Sequence, residues 1–514
     1  RAGRGSDGRH RSPPPPPHGL QQLEAQLLAS GSVQDLLGLH SRWRGHLTAS
    51  HLRACWNNLG HSRQPLRQRR AALSGPAFRA LCRDSAASVA DWSPAQCIQL
   101  LCNLARLRVR ETPAEQLWGA TEAALLDALH GASGPWLGGG GGEGGGDTAV
   151  GGGGGGGEKD ITAKRLARAA WASAAWASAA GGRQPVALLD AIATAARPHL
   201  ADFAPQGLCN LVWASATVGH APHRLFDSVA AEGMARVAEF NAQDMSNMAW
   251  AFAKAGKPAP ELFDALAAEV ARRGVGGFKP QELANTAWAF AKARRSAPAL
   301  FYALSEAAAP RLAEFDPQGL ANTAWAFASA GHAAPELFDA IAAEAAPRLS
   351  QFKPQELSIL AWACAADGAA GSCRGKPSAA PVPLLFDALA AEVARRGVGG
   401  FKPQELANTA WAFAKVAHAA PALFDALSGR SLLSLDAFSP QGLANTAWAY
   451  ATAGHAAPEL FDAIAAEAAP RLSQFKPQEL SILAWACAAD GAAGSCRGKP
   501  SAAPVPLLFD ALAA

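Results

Sequence analysis

Tyrosine and methionine are nearly missing from this chain: 514 residues hold 2 Tyr and 3 Met, against 15 Trp and 21 Phe. Cysteine is sparse too. Nine are scattered with no Cys-x-x-Cys pair, which excludes a disulfide framework or a zinc ribbon and fits a reducing compartment. No run of about 18 or more residues is strongly apolar and free of Gly and charge, so no membrane span is expected. Charge of one sign does not dominate. The net is +4 overall, but residues 1–202 carry +7 and residues 203–514 carry −3, so the longer part is no generic polyanion binder.

Catalytic signatures are absent as well. There is no His-Glu-x-x-His, no Gly-x-Ser-x-Gly, and no cluster of carboxylates or histidines outside the repeated text. The Gly-rich stretch has neither a following Gly-Lys-Ser/Thr nor a preceding strand, so it is no phosphate loop. No catalytic residue, metal site or cofactor is expected. Asp264, Asp339, Asp387 and Asp462 recur once per repeat beside Phe, as surface or capping residues do, and Cys364, Cys373, Cys487 and Cys496 lack histidine partners.

What the chain has is repetition. Residues 1–19 are low in complexity and read as disordered. Residues 20–137 read as helical with degenerate repeats. Residues 138–160 form a linker in which Gly138 to Gly157 holds 15 glycines in 20 positions. From 161 to 514 one sentence recurs: Phe278-Lys-Pro-Gln-Glu-Leu-Ala-Asn-Thr-Ala-Trp288-Ala-Phe, with copies opening at Phe203, Phe240, Phe315, Phe352, Phe401, Phe438 and Phe475. Worn copies open at Ile161 and at Trp92-Ser-Pro. The clear copies start 37, 38, 37, 37, 49, 37 and 37 residues apart, the length of a two-helix solenoid unit. Residues 261–391 match 384–514 almost throughout at an offset of 123, either a recent tandem duplication or an assembly error. The chain begins with Arg1 and stops inside a helical pattern, so it reads as a fragment. Its Arg-rich, acid-poor opening suits the tail of a transit sequence.

Each unit parses into two helices. Pro280 opens the first at N1, Gln281 and its counterparts fill the first turn and are expected to satisfy free helix-terminal amides, and glycines such as Gly331 close it. Pro298 or Pro335 opens the second, which carries Leu-Phe-Asp-Ala. On a helical wheel Phe290, Leu283, Ala287, Ala291, Ala284 and Trp288 make one apolar arc, which places every repeat tryptophan in the core. Asn285, Thr286, Glu282, Ala289 and Lys292 fall on the other side. The expected fold is all-α, a right-handed superhelical solenoid of two-helix repeats of about 37–38 residues.

The Phe-x-Pro-Gln-x-Leu-x-Asn-x-x-Trp-Ala block resembles the octotricopeptide repeat family over residues 161–514, and more faintly over 92–129. That resemblance implies binding of single-stranded RNA along the concave surface and control of the stability, processing or translation of organellar transcripts. It implies a chloroplast or mitochondrial location, other protein subunits as partners, and in some members a C-terminal RAP module. The candidate readers are Asn210, Asn247, Asn285, Asn322, Asn408 and Asn445, because an amide offers both donor and acceptor to a base edge. The same position equally suits a ladder of asparagines bonded between neighbouring units. Lys254, Lys292 and Lys415, with Arg374-Gly-Lys376 and Arg497-Gly-Lys499 in loops, are the candidate phosphate contacts. The alternative from another class is a protein-binding scaffold, favoured by the acidic balance of the array.

Overall fold

The computed structural model describes residues 19–109, 111–131, 161–180, 184–366, 381–494 and 508. Among these there are α-helices and short 3-10 turns and no strand. The expected Gly-rich linker and disordered opening lie outside the described residues. The protein is an all-α solenoid of repeated helix pairs, in two compact units: Arg1–Phe240 with Lys254–Ala259, and Asn241–Ala253 with Pro260–Ala514.

In the second unit, first helices pack on first helices: Pro280–Lys292, Pro317–Ala330, Pro354–Ala366, Pro403–Lys415, Pro440–Ala453 and Pro477–Gly494 follow one another as one layer. Second helices such as Pro298–Ala308 and Pro335–Ala345 form the other layer. In the first unit Gly19–Ala29, Ala49–His61, Pro94–Leu107, Ala163–Ala180 and Pro205–Val218 stack likewise as first helices.

Local sequence sets the helix ends. Where the unit opens Lys-Pro-Gln-Glu, the glutamate folds back and caps: the Lys279 N–H donates to Glu282 Oε2 at 2.8 Å, and Lys402 to Glu405 likewise at 2.8 Å. Where it opens Asp- or Ser-Pro-Gln-Gly, the cap runs the other way: the Gly319 N–H donates to Asp316 Oδ1 at 2.7 Å and the Gly442 N–H to Ser439 Oγ at 3.1 Å. Capping therefore belongs to Glu282 and its counterparts, and not to Gln281 as the sequence pattern suggests. Gln281, Gln318, Gln404 and Gln441 are exposed.

The first helix closes on a left-handed residue, Gly331 at φ 67° and Gly454 at φ 63°, but Arg294 and Ala417 hold the same place at φ 53° and 55°. A β-carbon there costs about 1–2 kcal/mol, offset in part by the extra freedom glycine has when unfolded. Ala417→Gly should therefore raise stability by about 0.5–1 kcal/mol. Thermal unfolding checks this, and a lower melting temperature would place no strain at that residue.

The repeats are coupled by phenylalanine and arginine. A second-helix Phe meets the first-helix Phe of the next repeat edge to face: Phe263–Phe290 at 5.0 Å, Phe301–Phe327 at 5.1 Å and Phe386–Phe413 at 5.0 Å between ring centroids. After the second helix an arginine reaches back to the carbonyl that opens its own repeat. Arg311 donates to Phe278 O at 2.8 Å, Arg348 to Phe315 O at 2.7 Å and Arg471 to Phe438 O at 2.8 Å. These arginines also pair with carboxylates such as Glu344 and Glu467. At matching places in the two duplicated stretches, Glu269 and Glu392 are held near pKa 2, chiefly by hydrogen bonds from Arg272 and Arg395. A depressed folded pKa stabilises above the unfolded value, so these clasps act above about pH 4.5 and are lost as pH falls towards 2.

Candidate nucleic-acid interface

Within each run, an interior first helix is flanked by two others and backed by second helices, so only a narrow strip reaches solvent. At about 100° per residue, Gln281, Asn285, Trp288 and Lys292 fall within roughly 60° of each other. These are the positions left open: Gln281 and Lys292 are exposed, Asn285 and Trp288 half-buried. Glu282, Thr286 and Ala289, expected on the polar side, are buried. The reason is occlusion from both flanks, which shifts the buried arc until it is symmetric about the second-helix side.

Tryptophan is the main correction. Trp288, Trp325, Trp362, Trp411 and Trp448 are half-buried and Trp485 is 51% exposed, so the repeat tryptophans are not core. Their rings lean on one another across repeats, Trp250–Trp288 and Trp288–Trp325 at 6.2 Å, Trp362–Trp411 at 6.2 Å and Trp411–Trp448 at 6.1 Å, tilted by 30–36°. A base inserted between two rings needs about twice the 3.4 Å stacking rise. These gaps are narrower and tilted, so a base would lie across the ladder.

The asparagines sit where the pattern places them. Asn210, Asn247, Asn285, Asn322, Asn408 and Asn445 are all half-buried on the solvent strip. Among the described residues no hydrogen bond joins one to the next, which removes the bonded ladder as their explanation. Lys254, Lys292 and Lys415 are exposed. Arg374, Lys376, Arg497 and Lys499 lie outside the described residues.

Neighbouring first helices leave a groove between their N-terminal halves. One such groove, of about 400 Å³, is lined by Lys402, Gln404, Asn408, Ser439, Gln441 and Asn445. Lys402 and the glutamines were missed as site residues. The signal that finds the glutamines is the i, i+4, i+7, i+11 spacing of Gln281, Asn285, Trp288 and Lys292, which names a stripe where a composition-based arc does not. No acidic residue occupies any strip position in the eight clear copies. Exposed carboxylates stand instead on second helices, where Asp264 pairs with Arg295 at 2.7 Å and Asp387 and Asp425 with His418 and His455 at 3.1 and 2.9 Å.

Buried thiols offer no nucleophile. Burial pushes Cys55 and Cys82 up to about 12 and Cys97 to about 11, and Cys364 and Cys487 are also buried. Among the described residues no three His, Cys, Asp or Glu side chains cluster as metal ligands, and no helix is long and apolar enough to cross a membrane.

Residues 178–366, over a third of the chain, match the family model of the RNA-editing substrate-binding complex 6 protein. Residues 389–409 match that of a protein of unknown function, DUF1601. No curated protein matches. Among solved structures, one titled as a homology model of the full-length AP-3 complex in an intermediate open conformation is 9% identical, with a TM-score of 0.33, over 96% of this chain and 89% of that one. The protein is thus a helical-repeat chain similar, over part of its length, to a family named for an RNA-editing complex.

Proposed function

We propose that this protein binds single-stranded RNA along the solvent strip of its first helices, selectively for sequence and without catalysis, and acts after transcription on organellar transcripts. The observation that carries the reading is the strip itself: amide, amide, indole and, in three copies, lysine, repeated without a carboxylate. Glutamine and asparagine amides offer donor and acceptor to base edges, indole edges give base contact, and Lys292, Lys402 and Lys415 meet phosphate. The net charge of −3 over residues 203–514 is no obstacle, because no acid stands on the strip: first-helix glutamates such as Glu282 and Glu405 are buried in caps, and the exposed Asp264, Asp387 and Asp425 stand on second helices. The match of residues 178–366 to a family named for an RNA-editing substrate-binding complex supports the same reading. The organelle, chloroplast or mitochondrion, rests on the octotricopeptide resemblance.

That acidic layer, with Asp387 and Asp425 side chains 62% and 73% exposed, favours a second role in docking a basic protein subunit. Binding of the full chain to random RNA and DNA pools at two salt concentrations separates the readings. RNA preference with a log–log slope of about −0.7 per phosphate contact is expected. Protein docking alone is left if neither pool binds at low salt.

Modularity is testable by selection. The strip reads Asn285, Asn322, Ile359 and then Asn408, Asn445, Ile482. One nucleotide per repeat gives the same three preferences twice, with the third position least constrained because isoleucine cannot hydrogen-bond. RNA selection on the full chain should return a motif of period three, or slightly longer where the 49-residue spacing skips a nucleotide. A tight consensus without internal repetition would sink the modular scheme.

A further inference from the structure

We propose that Asp316 is a specificity-determining residue of the RNA strip: at one nucleotide of the first duplicated stretch it selects a base that carries an amino group, cytosine, adenine or guanine, against uracil. The inference rests on the RNA reading and deepens it.

The four strip positions carry no acid, so the copies differ in charge at another place, the residue that follows the opening phenylalanine and precedes the first helix. Four of the eight clear copies hold lysine there, Lys279, Lys353, Lys402 and Lys476, three hold a neutral residue, and Asp316 is the one acid. All five charged residues are exposed.

This residue stands at the rim of the groove between neighbouring first helices. Lys402 and Ser439 both line the groove of about 400 Å³, together with the amides of Gln404, Asn408, Gln441 and Asn445. The duplication supplies a natural comparison. Shifted back by 123 residues, nine of the eleven residues lining that groove are unchanged, while Glu314 replaces Ala437 and Asp316 replaces Ser439. Glu314 is paired with Arg311 at 3.0 Å, and the hydrogen bond from that arginine holds its carboxyl below the usual range. No cation pairs with Asp316 among the described residues. The charge that distinguishes the two grooves is therefore that of Asp316.

Capping does not require this charge. The Gly319 N–H donates to Asp316 Oδ1 at 2.7 Å, and in the twin the Gly442 N–H donates to Ser439 Oγ at 3.1 Å, so a hydroxyl serves the helix end as a carboxylate does. The second oxygen of Asp316, Oδ2, accepts nothing from the described residues.

Lysine at this place attracts phosphate; an acid repels it, and repels the carbonyl oxygens of a base as well. What a carboxylate takes is an N–H. Cytosine and adenine offer exocyclic amino groups and guanine an amino group beside its N1–H, whereas uracil offers one N–H between two carbonyl oxygens. With Asp316 at the rim and Asn285 and Asn322 at the matching walls, the groove discriminates against uracil. Ser439 both donates and accepts, so its groove lacks that bias.

The test is RNA selection on the full chain in three forms, wild type, Asp316→Ser and Ser439→Asp, followed by titration of paired 12-nucleotide RNAs that differ by uracil or cytosine at the chosen position. Asp316→Ser installs the cap of the twin repeat, and the melting temperature verifies that folding is kept. In the wild type, one position of the motif should disfavour uracil about fivefold more than its counterpart from the second stretch. Asp316→Ser should bring the two positions level, and Ser439→Asp should transfer the discrimination to the second. An Asp316→Ser protein that selects the wild-type motif unchanged overturns the proposal, and a lower melting temperature then marks Asp316 as a cap and nothing more. A uniform rise in affinity for every RNA, with base preference intact, overturns it too and leaves only general repulsion of the strand. If RNA binds but neither position discriminates, the proposal falls and the RNA reading stands; if no form binds RNA, both fall.

Discussion

Phe327→Ala should cost about 3–5 kcal/mol and uncouple the repeats on either side of it, the largest stability loss expected from one substitution in the array. Phe327 is 1% exposed and meets Phe301 edge to face at 5.1 Å, so truncation opens a cavity at the joint between repeats. Trp325→Ala, two residues away, should cost only about 1–2 kcal/mol, because half-buried area is lost and solvent fills the gap. Denaturant unfolding of both variants measures the contrast. Equal losses would return the tryptophans to the core and remove the ladder from the binding surface.

The second large effect is on RNA. Trp411→Ala with Trp448→Ala removes two adjacent ladder rings, and base–aromatic contact is worth about 1–3 kcal/mol per base. Edge contact takes the lower end, so affinity should fall about 30-fold. Asn408→Ala with Asn445→Ala should instead relax base preference at two positions of the selected motif and leave melting nearly unchanged. Binding titrations and thermal unfolding are read together. Melting that falls while affinity holds would make the strip a packing surface.

The two pairs of variants probe neighbouring residues with opposite fates, and that is where reading by pattern reached its limit. Phe278, Leu283 and Phe290 were legible as core because each is bulky and recurrent, and all are buried. Trp288 lies at the arc's margin, where a rotation of a few tens of degrees decides its side. Hydrophobicity assigned it inward. Geometry places it outward, half-buried, on its neighbouring tryptophans. Thr286 and Ala289 moved the opposite way for the same reason.

Asn285 and Lys292 were legible as facing solvent, since a polar residue repeated at one helical position has few places to go. Gln281 was misassigned as a cap because its competitor for the helix-terminal amide, Glu282, stands one residue away; the 2.8 Å bond from the Lys279 N–H settles it. That Arg53, Gln99 and Arg168 line one cavity in the first unit was not legible, because they are 46 and 69 residues apart along the chain.

The sequence by itself determined the repeat length, from the spacing of its copies, and the two-helix unit, its Pro and Gly boundaries and the all-α class, because those depend on local backbone preferences and a helical period that each copy displays. Tertiary structure decided which first-helix positions remain open and which distant residues meet. A helix flanked on both sides by copies of itself is buried by neighbours that lie about 37 residues away in the chain, and their occlusion enters no local pattern.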